Sequence, residues 1–359
     1  MRGAVLGAAL AVAPALAQDL DSLPRYQPDV RVSGTIRVFG SDLAGQIAGW
    51  EKGFARFHPR VRFVNRFPSS DGAVGGMISG VADLGTSGRE LVLTEYLMFN
   101  ETFGYDPEQI AVATGAFDRK GRSWATVVYV HRDNPIAQLT LEQLDGFFGS
   151  ERSGGYRGLK WMPSFARGPE KNIRTWGELG LTGDWADKPI QTYGYAFTGM
   201  SNFFQLKVFK GGDKWNSNYR QYVEDGTKMV ADGELGRTGS IRYMLTEELA
   251  RNKYGIAWSG IPHAADVPEV KVLALAAHEG APYVMPTRQT VQDRTYPLSR
   301  SVFIYINRAP GKALEARQRE FLRYILSREG QLAVVQNANY LPLTRGVVAE
   351  ERRRLDGGS

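Results

Sequence analysis

The stretch "TIRVFGSDLAGQIAGWEKGFARFHPRVRFVNRF", residues 35–67, decides the fold. TIRVF (35–39) has the composition of a buried strand, and VRFVNRF (61–67) alternates as a second one. Between them Leu43, Ile47, Trp50, Phe54 and Phe57 recur at spacings of 4, 3, 4 and 3, one apolar stripe on a helix. SSDGAVGG (69–76) then opens a short Gly-rich helix, and ADLGTS (82–87) reads as a third strand running into a loop. Strands joined through helices pair in parallel, because a parallel neighbour needs a long crossover. The order predicts an α/β chain with helices on both faces of a parallel sheet.

The pattern recurs further on. WATVVYVH (124–131) is a strand closed by the breaker RDNP, and LTLEQLDGFF (139–148) a helix capped by Thr140 with Glu142 close behind. Residues 151–188 are rich in Gly, Pro and Trp with little period and read as a surface excursion. A helix over 240–253 and strands at GIAW (255–258), KVLAL (271–275) and VFIYI (302–306) follow. LEARQREFLRYILSREGQLAVVQ carries a long helical period interrupted at Gly330. No repeat of 20–50 residues is visible. An α/β start completed by late strands and helices predicts a domain that is entered, left and re-entered. The expected boundaries are 30–124 with 285–345 for one lobe and 125–284 for the other.

The chain begins MRGAVLGAALAVAPALAQDL: Arg2, an apolar run from Ala4 to Leu16, then an A-x-A site at residues 15–17. This is a secretory signal with cleavage expected after Ala17; its core is too short to span a bilayer. Losing one arginine and no acid takes the formal charge from +6 to about +5. The charges are scattered, apart from ERRRL (351–355), so a nucleic-acid partner is not expected. There are no cysteines, which excludes disulfides, thiolate catalysis and Cys-based metal sites. His58, His131, His263 and His278 have no metal-ligand spacing, and no G-x-S-x-G elbow occurs. No cofactor, no metal and no catalysis is the expectation, with a secreted hydrolase as the lesser alternative.

Three places deliver small polar residues onto an expected helix start: Ser41-Asp42-Leu43, Ser69-Ser70-Asp71-Gly72 and Thr198-Gly199-Met200-Ser201. Helix N-termini present unpaired N–H groups and partial positive charge, so they hold oxyanions; the same residues also serve as ordinary caps. Arg89 reads as a surface ion-pair partner.

Read together, "SGTIRVFGSD", "SSDGAVGGMISGVADLGTSGREL", "VVYVHRDNPIAQLTLEQLDGFF", "YPLSRSVFIYINRAP", "FLRYILSREGQ" and "NANYLPL" resemble the phosphate-type substrate-binding proteins of ABC transporters. The likeness runs over about residues 33–345. It implies a two-lobed type II periplasmic-binding fold with a ligand cleft between the lobes. It also implies a periplasmic monomer that captures inorganic phosphate or a similar anion and presents it to an ABC transporter permease. Another anion, a small organic ligand, or a role in sensing or adhesion stays open. The ligand positions it implies are Ser41, Asp42, Leu43, Ser69, Ser70, Gly72, Asp83, Thr198, Gly199, Met200 and Ser201, with Asp83 accepting the proton of bound phosphate. The family's third loop, G-S-G-T-R, is altered: Met200 and Ser201 stand where T-R would, and YGYAF (193–197) supplies no arginine.

Overall fold

The computed structural model describes residues 20–119, 123–196, 199–224 and 240–357; the expected signal (1–17) and Thr198 lie outside them. Among the described residues, ten strands build two five-stranded sheets: β1 (Gly34–Gly40), β2 (Val61–Arg66), β3 (Leu84–Ser87), β4 (Glu108–Thr114), β5 (Thr126–His131), β6 (Gln191–Tyr195), β7 (Arg220–Tyr222), β8 (Gly255–Gly260), β9 (Val270–Val272) and β10 (Ser301–Ile306). The chain divides into two compact units. One takes the described residues up to Gly88, Glu95–Thr114 and Ser301 onward; the other takes Arg89–Thr94 and Gly115–Arg300.

The first unit's sheet runs β2-β1-β3-β10-β4. β1, β2 and β3 are parallel, as the crossover pattern requires, and β10 is antiparallel to both of its neighbours. The helix after β1, α1 (Gln46–Phe54), buries Ile47, Trp50 and Phe54, the centre of the stripe seen in the sequence. Leu43 is also buried, but from a turn: it, Ala44 and Gly45 all have positive φ, so the helix starts only at Gln46. A short helix α2 (Gly72–Ile78) follows β2.

The second unit repeats the arrangement as β7-β6-β8-β5-β9. β6, β7 and β8 are parallel, and β5 is antiparallel to β8 and β9. Its helices include α3 (Leu141–Phe148) and α4 (Gly199–Lys207). Residues 89–94, 115–119, 123–124 and 285–300, expected in the first lobe, fall in this unit. The reason is hydrogen bonding: Gly115 N–H donates to Arg300 O and Thr126 N–H to Leu298 O. KVLAL divides, Val270–Val272 pairing with β5 and Ala274–Ala276 with Gln138–Thr140. The helix expected over 240–253 is a single turn, Ile241–Tyr243, continued by a π-helical segment, Met244–Leu249.

The C-terminal helical run breaks at Ser327 rather than Gly330, giving α5 (Ala316–Ile325) and α6 (Arg328–Asn337), followed by α7 (Arg345–Leu355). Ser327 donates its hydroxyl to Tyr324 O and accepts from Gly330 N–H, ending one helix and capping the next. Gly330 is needed for close approach: a Cβ there would stand 2.3 Å from Tyr324 O.

Thr140 caps α3 as expected, but Gln143, not Glu142, completes the box: Thr140 Oγ1 accepts from Gln143 N–H at 3.1 Å, and Gln143 Oε1 from Thr140 N–H at 2.9 Å. Thr140→Ala should therefore lower stability by about 1 kcal/mol. A shifted urea midpoint at unchanged slope is the expected readout, and an unmoved midpoint would refute it.

Candidate functional site

In the first unit, the loops that leave the carboxyl ends of β1, β2 and β3 lie side by side, the customary ligand face of an open α/β sheet. They are hydrogen-bonded to one another. Ser41 N–H donates to Thr86 O at 2.9 Å, and Thr86 Oγ1 returns a bond to Ser41 O at 2.6 Å. Gly88 N–H donates to Ser70 Oγ at 3.0 Å, which ties the β2 loop to the β3 loop. Ser41 Oγ accepts from Leu43 N–H at 3.1 Å. A hydroxyl that accepts from a backbone amide is held in place with its own proton still available, so Ser41 and Ser70 are oriented donors.

The other sequence-assigned positions on these loops have narrower roles. Asp42 is exposed and its Oδ1 accepts from Ala44 N–H, closing a local turn. Ser69 Oγ accepts from Asp71 N–H, and Gly72 N–H donates to Ser69 O. Leu43 contributes a fully buried side chain beneath the loop. Because α1 begins beyond the left-handed turn, the Ser41 loop does not sit on a helix N-terminus, and the anion argument there rests on hydroxyls and loop amides alone.

Asp83 is a correction. It precedes β3, at the end of the strand away from Ser87 and Gly88, and Arg37 of β1 occupies its carboxylate. Arg37 N–H donates to Oδ2 at 2.8 Å, Nε lies 3.2 Å from both oxygens, and Nη2 lies 2.5 Å from Oδ1. Burial pushes the Asp83 carboxyl upward, but the hydrogen bonds and charge of Arg37 outweigh it and hold the group below the usual carboxylate range. The D-x-G position here fastens β1 to β3 instead of reading a ligand.

In the second unit, α4 opens at Gly199 directly after the loop that leaves β6. Arg89 packs on it: a Cβ at residue 199 would stand 2.6 Å from Arg89 Cδ, so a larger residue there would displace the Arg89 side chain. Arg89 is not the surface partner expected from sequence; it is buried, and its Nη1 donates to Glu90 O at 2.8 Å. The Met200 sulfur accepts an N–H from the Arg300 guanidinium. Ser201 is a second correction. Its hydroxyl donates back to Ala196 O at 2.6 Å and Tyr195 O at 3.2 Å, so its one proton ends the strand and is not offered to an anion. The sequence thus concealed two arginines, Arg89 and Arg300, because neither is near YGYAF in the chain; an arginine inside the apolar run YPLSRSVFIYI was the one available signal.

A serine–histidine–carboxylate relay also lies in this unit. Gly260 N–H donates to His263 Nδ1 at 3.1 Å, which makes that nitrogen an acceptor and places the ring proton on Nε2, 3.0 Å from Glu224 Oε1. Ser259 Oγ lies 2.7 Å from the same Nδ1, and Tyr195 OH donates to Glu224 Oε2 at 2.6 Å. Ser259 is fully buried at the end of β8, so the relay holds Tyr195 and the end of β6 and presents no nucleophile to a substrate. Among the described residues no cluster of acids and histidines is arranged for a metal ion.

No family model matches the chain. The phosphate-binding protein PstS of Pseudomonas aeruginosa is 32% identical over 352 residues, covering 98% of this chain and 96% of that protein. The chain belongs to the PstS phosphate-binding protein family. PstS of Staphylococcus saprophyticus is 23% identical over 90% of this chain and 85% of its own length. Among solved structures, PstS from Borrelia burgdorferi covers 87% of this chain and 100% of its own at 14% identity, with a TM-score of 0.53, a likeness of fold. The PstS resemblance drawn from the motifs is borne out, as is the two-lobed α/β fold it implied.

The pH dependence of the Asp83–Arg37 pair follows from its sign. A carboxyl held below its ordinary value of 3.8 stabilises the fold fully above that value, and the contribution is lost as pH falls through the lower folded-state value. Asp83→Asn should lower the melting temperature at pH 7, with a difference that shrinks to nothing in strong acid, and leave ligand affinity within about threefold. An unchanged melting temperature at pH 7, or a large loss of affinity, would contradict this assignment.

Proposed function

We propose that the chain is a periplasmic phosphate-binding protein that captures inorganic phosphate for an ABC transporter and carries out no reaction. The observation that carries the reading is the set of cross-bonded loops at the carboxyl ends of β1, β2 and β3, with Ser41 and Ser70 hydroxyls oriented by backbone amides. The third of these loops continues through one peptide bond from Gly88 into Arg89. Hydroxyl donors, with a guanidinium-bearing residue next along the chain, suit a tetrahedral oxyanion, which needs several short donors and one compensating charge. The names of the PstS relatives support phosphate as the ligand. Gly199 has a supporting part, since it admits Arg89 to the start of α4.

Export is supported by the leader with its A-x-A site, and no helix among the described residues is long and apolar enough to cross a membrane.

Calorimetry on the mature protein should show saturable binding of one phosphate. Arg89→Met should weaken it by roughly 10- to 100-fold and Ser70→Ala by about tenfold, the range for charged and neutral hydrogen bonds. A wild type that ignores phosphate overturns the reading. N-terminal sequencing of the exported form should begin at Gln18; a form beginning at Met1 would overturn the export assignment.

A further inference from the structure

Arg300 is the last residue of the second unit, and its side chain is wholly excluded from solvent. A guanidinium in such a place needs partners for its charge and its N–H groups. Nη2 lies 3.3 Å from Glu90 Oε2, Nη1 donates to Met200 Sδ, and the central carbon stands 4.9 Å from the centre of the Phe203 ring. The main-chain oxygen of Arg300 accepts from Gly115 N–H at 2.8 Å. One residue therefore joins three segments that are far apart in sequence: Glu90, the first turn of α4, and Gly115.

Two of those segments hold Arg89. Glu90 is its neighbour, and the Glu90 carbonyl accepts from Arg89 Nη1. Gly199, beside Met200, is the residue against which the Arg89 side chain lies. The Glu90 carboxylate is directed at Arg300 and partners its charge. Stability alone does not account for this arrangement. The Arg300 Nε has no hydrogen-bond partner among the described residues, and a buried ion pair is often no better than apolar side chains of equal volume.

We propose that Arg300 is a positioning residue for phosphate capture: through Glu90 and Met200 it fixes the Arg89 side chain against the start of α4. The inference rests on the reading that Arg89 binds phosphate. It makes Arg300 a structural substitute for the arginine missing from YGYAF, one that acts through Arg89 without touching the ligand. The cost of its loss should appear in affinity, because an Arg89 that must be ordered on binding lowers the affinity by the work of ordering it.

The test is a double-mutant cycle read by phosphate calorimetry, with melting temperatures measured in phosphate-free buffer. Arg300→Met, which keeps the volume and can meet Phe203 and Met200, should weaken phosphate binding by about tenfold or more; its phosphate-free melting temperature falls as well, because Glu90 loses its partner. In an Arg89→Met background the same change should cost less than about threefold, because the residue it positions is gone. Glu90→Gln, which keeps shape and removes the charge, should show the same dependence on Arg89 and serves if Arg300→Met does not fold. Equal losses in both backgrounds, or normal affinity in Arg300→Met, overturn the inference. A wild type that does not bind phosphate, or an Arg89→Met protein that binds it normally, instead overturns the reading beneath it, and the inference with it.

Discussion

The candidate site depends on how closely β1 approaches β3 at Gly40. A Cβ there would stand 2.1 Å from Thr86 O, and the glycine has φ +133°, a backbone that other residues rarely adopt. Bare backbone at that point lets Ser41 and Thr86 exchange their two hydrogen bonds, and the β1 and β3 loops become one surface. At the opposite end of the same pair, Arg37 and Asp83 perform the fastening. The parallel register is thus locked at both ends, by backbone where ligand chemistry is expected and by charge where it is not. Changes in the loops need not disturb the ion pair that secures the strands.

Much of the fold was legible because it rests on local periodicity. TIRVF, VRFVNRF, GIAW and VFIYI are strands, and the Ile47–Trp50–Phe54 stripe is buried as its spacing required. Failures came where a local signal competed with a distant one. Gly330 looked like a helix breaker, but it is a packing glycine, and the break belongs to Ser327, whose side chain satisfies both helix ends. Leu43 kept the helical spacing and the burial of the stripe while sitting in a left-handed turn that the spacing could not reveal.

The site was legible in part for the same reason. Ser41 and Ser70 stand on loops that short-range order could place. The partners that determine what a polar group does are set by strand pairing. Asp83 meets Arg37 across 46 residues, Ser201 turns back on the strand before it, and Arg300 finds Glu90 across 210. No motif encodes those meetings. The two sheets also share one strand order, three parallel strands followed by an antiparallel one and an edge, yet no sequence repeat announces it. Topology is retained by the pattern of apolar strands, which many sequences satisfy.

The position of β10 has a consequence for how the chain becomes a protein. Strand β4 pairs with β10 and with no other member of its sheet, and β10 comes from residues 301–306, almost 200 positions later. As the chain emerges from its N-terminus, β1–β3 can assemble early, but β4 waits with both edges unpaired until most of the second unit has been made. The second unit's sheet needs nothing beyond Val272. The first lobe by sequence is therefore the last to be finished, and its exposed strand edges are where a holding chaperone would be most needed.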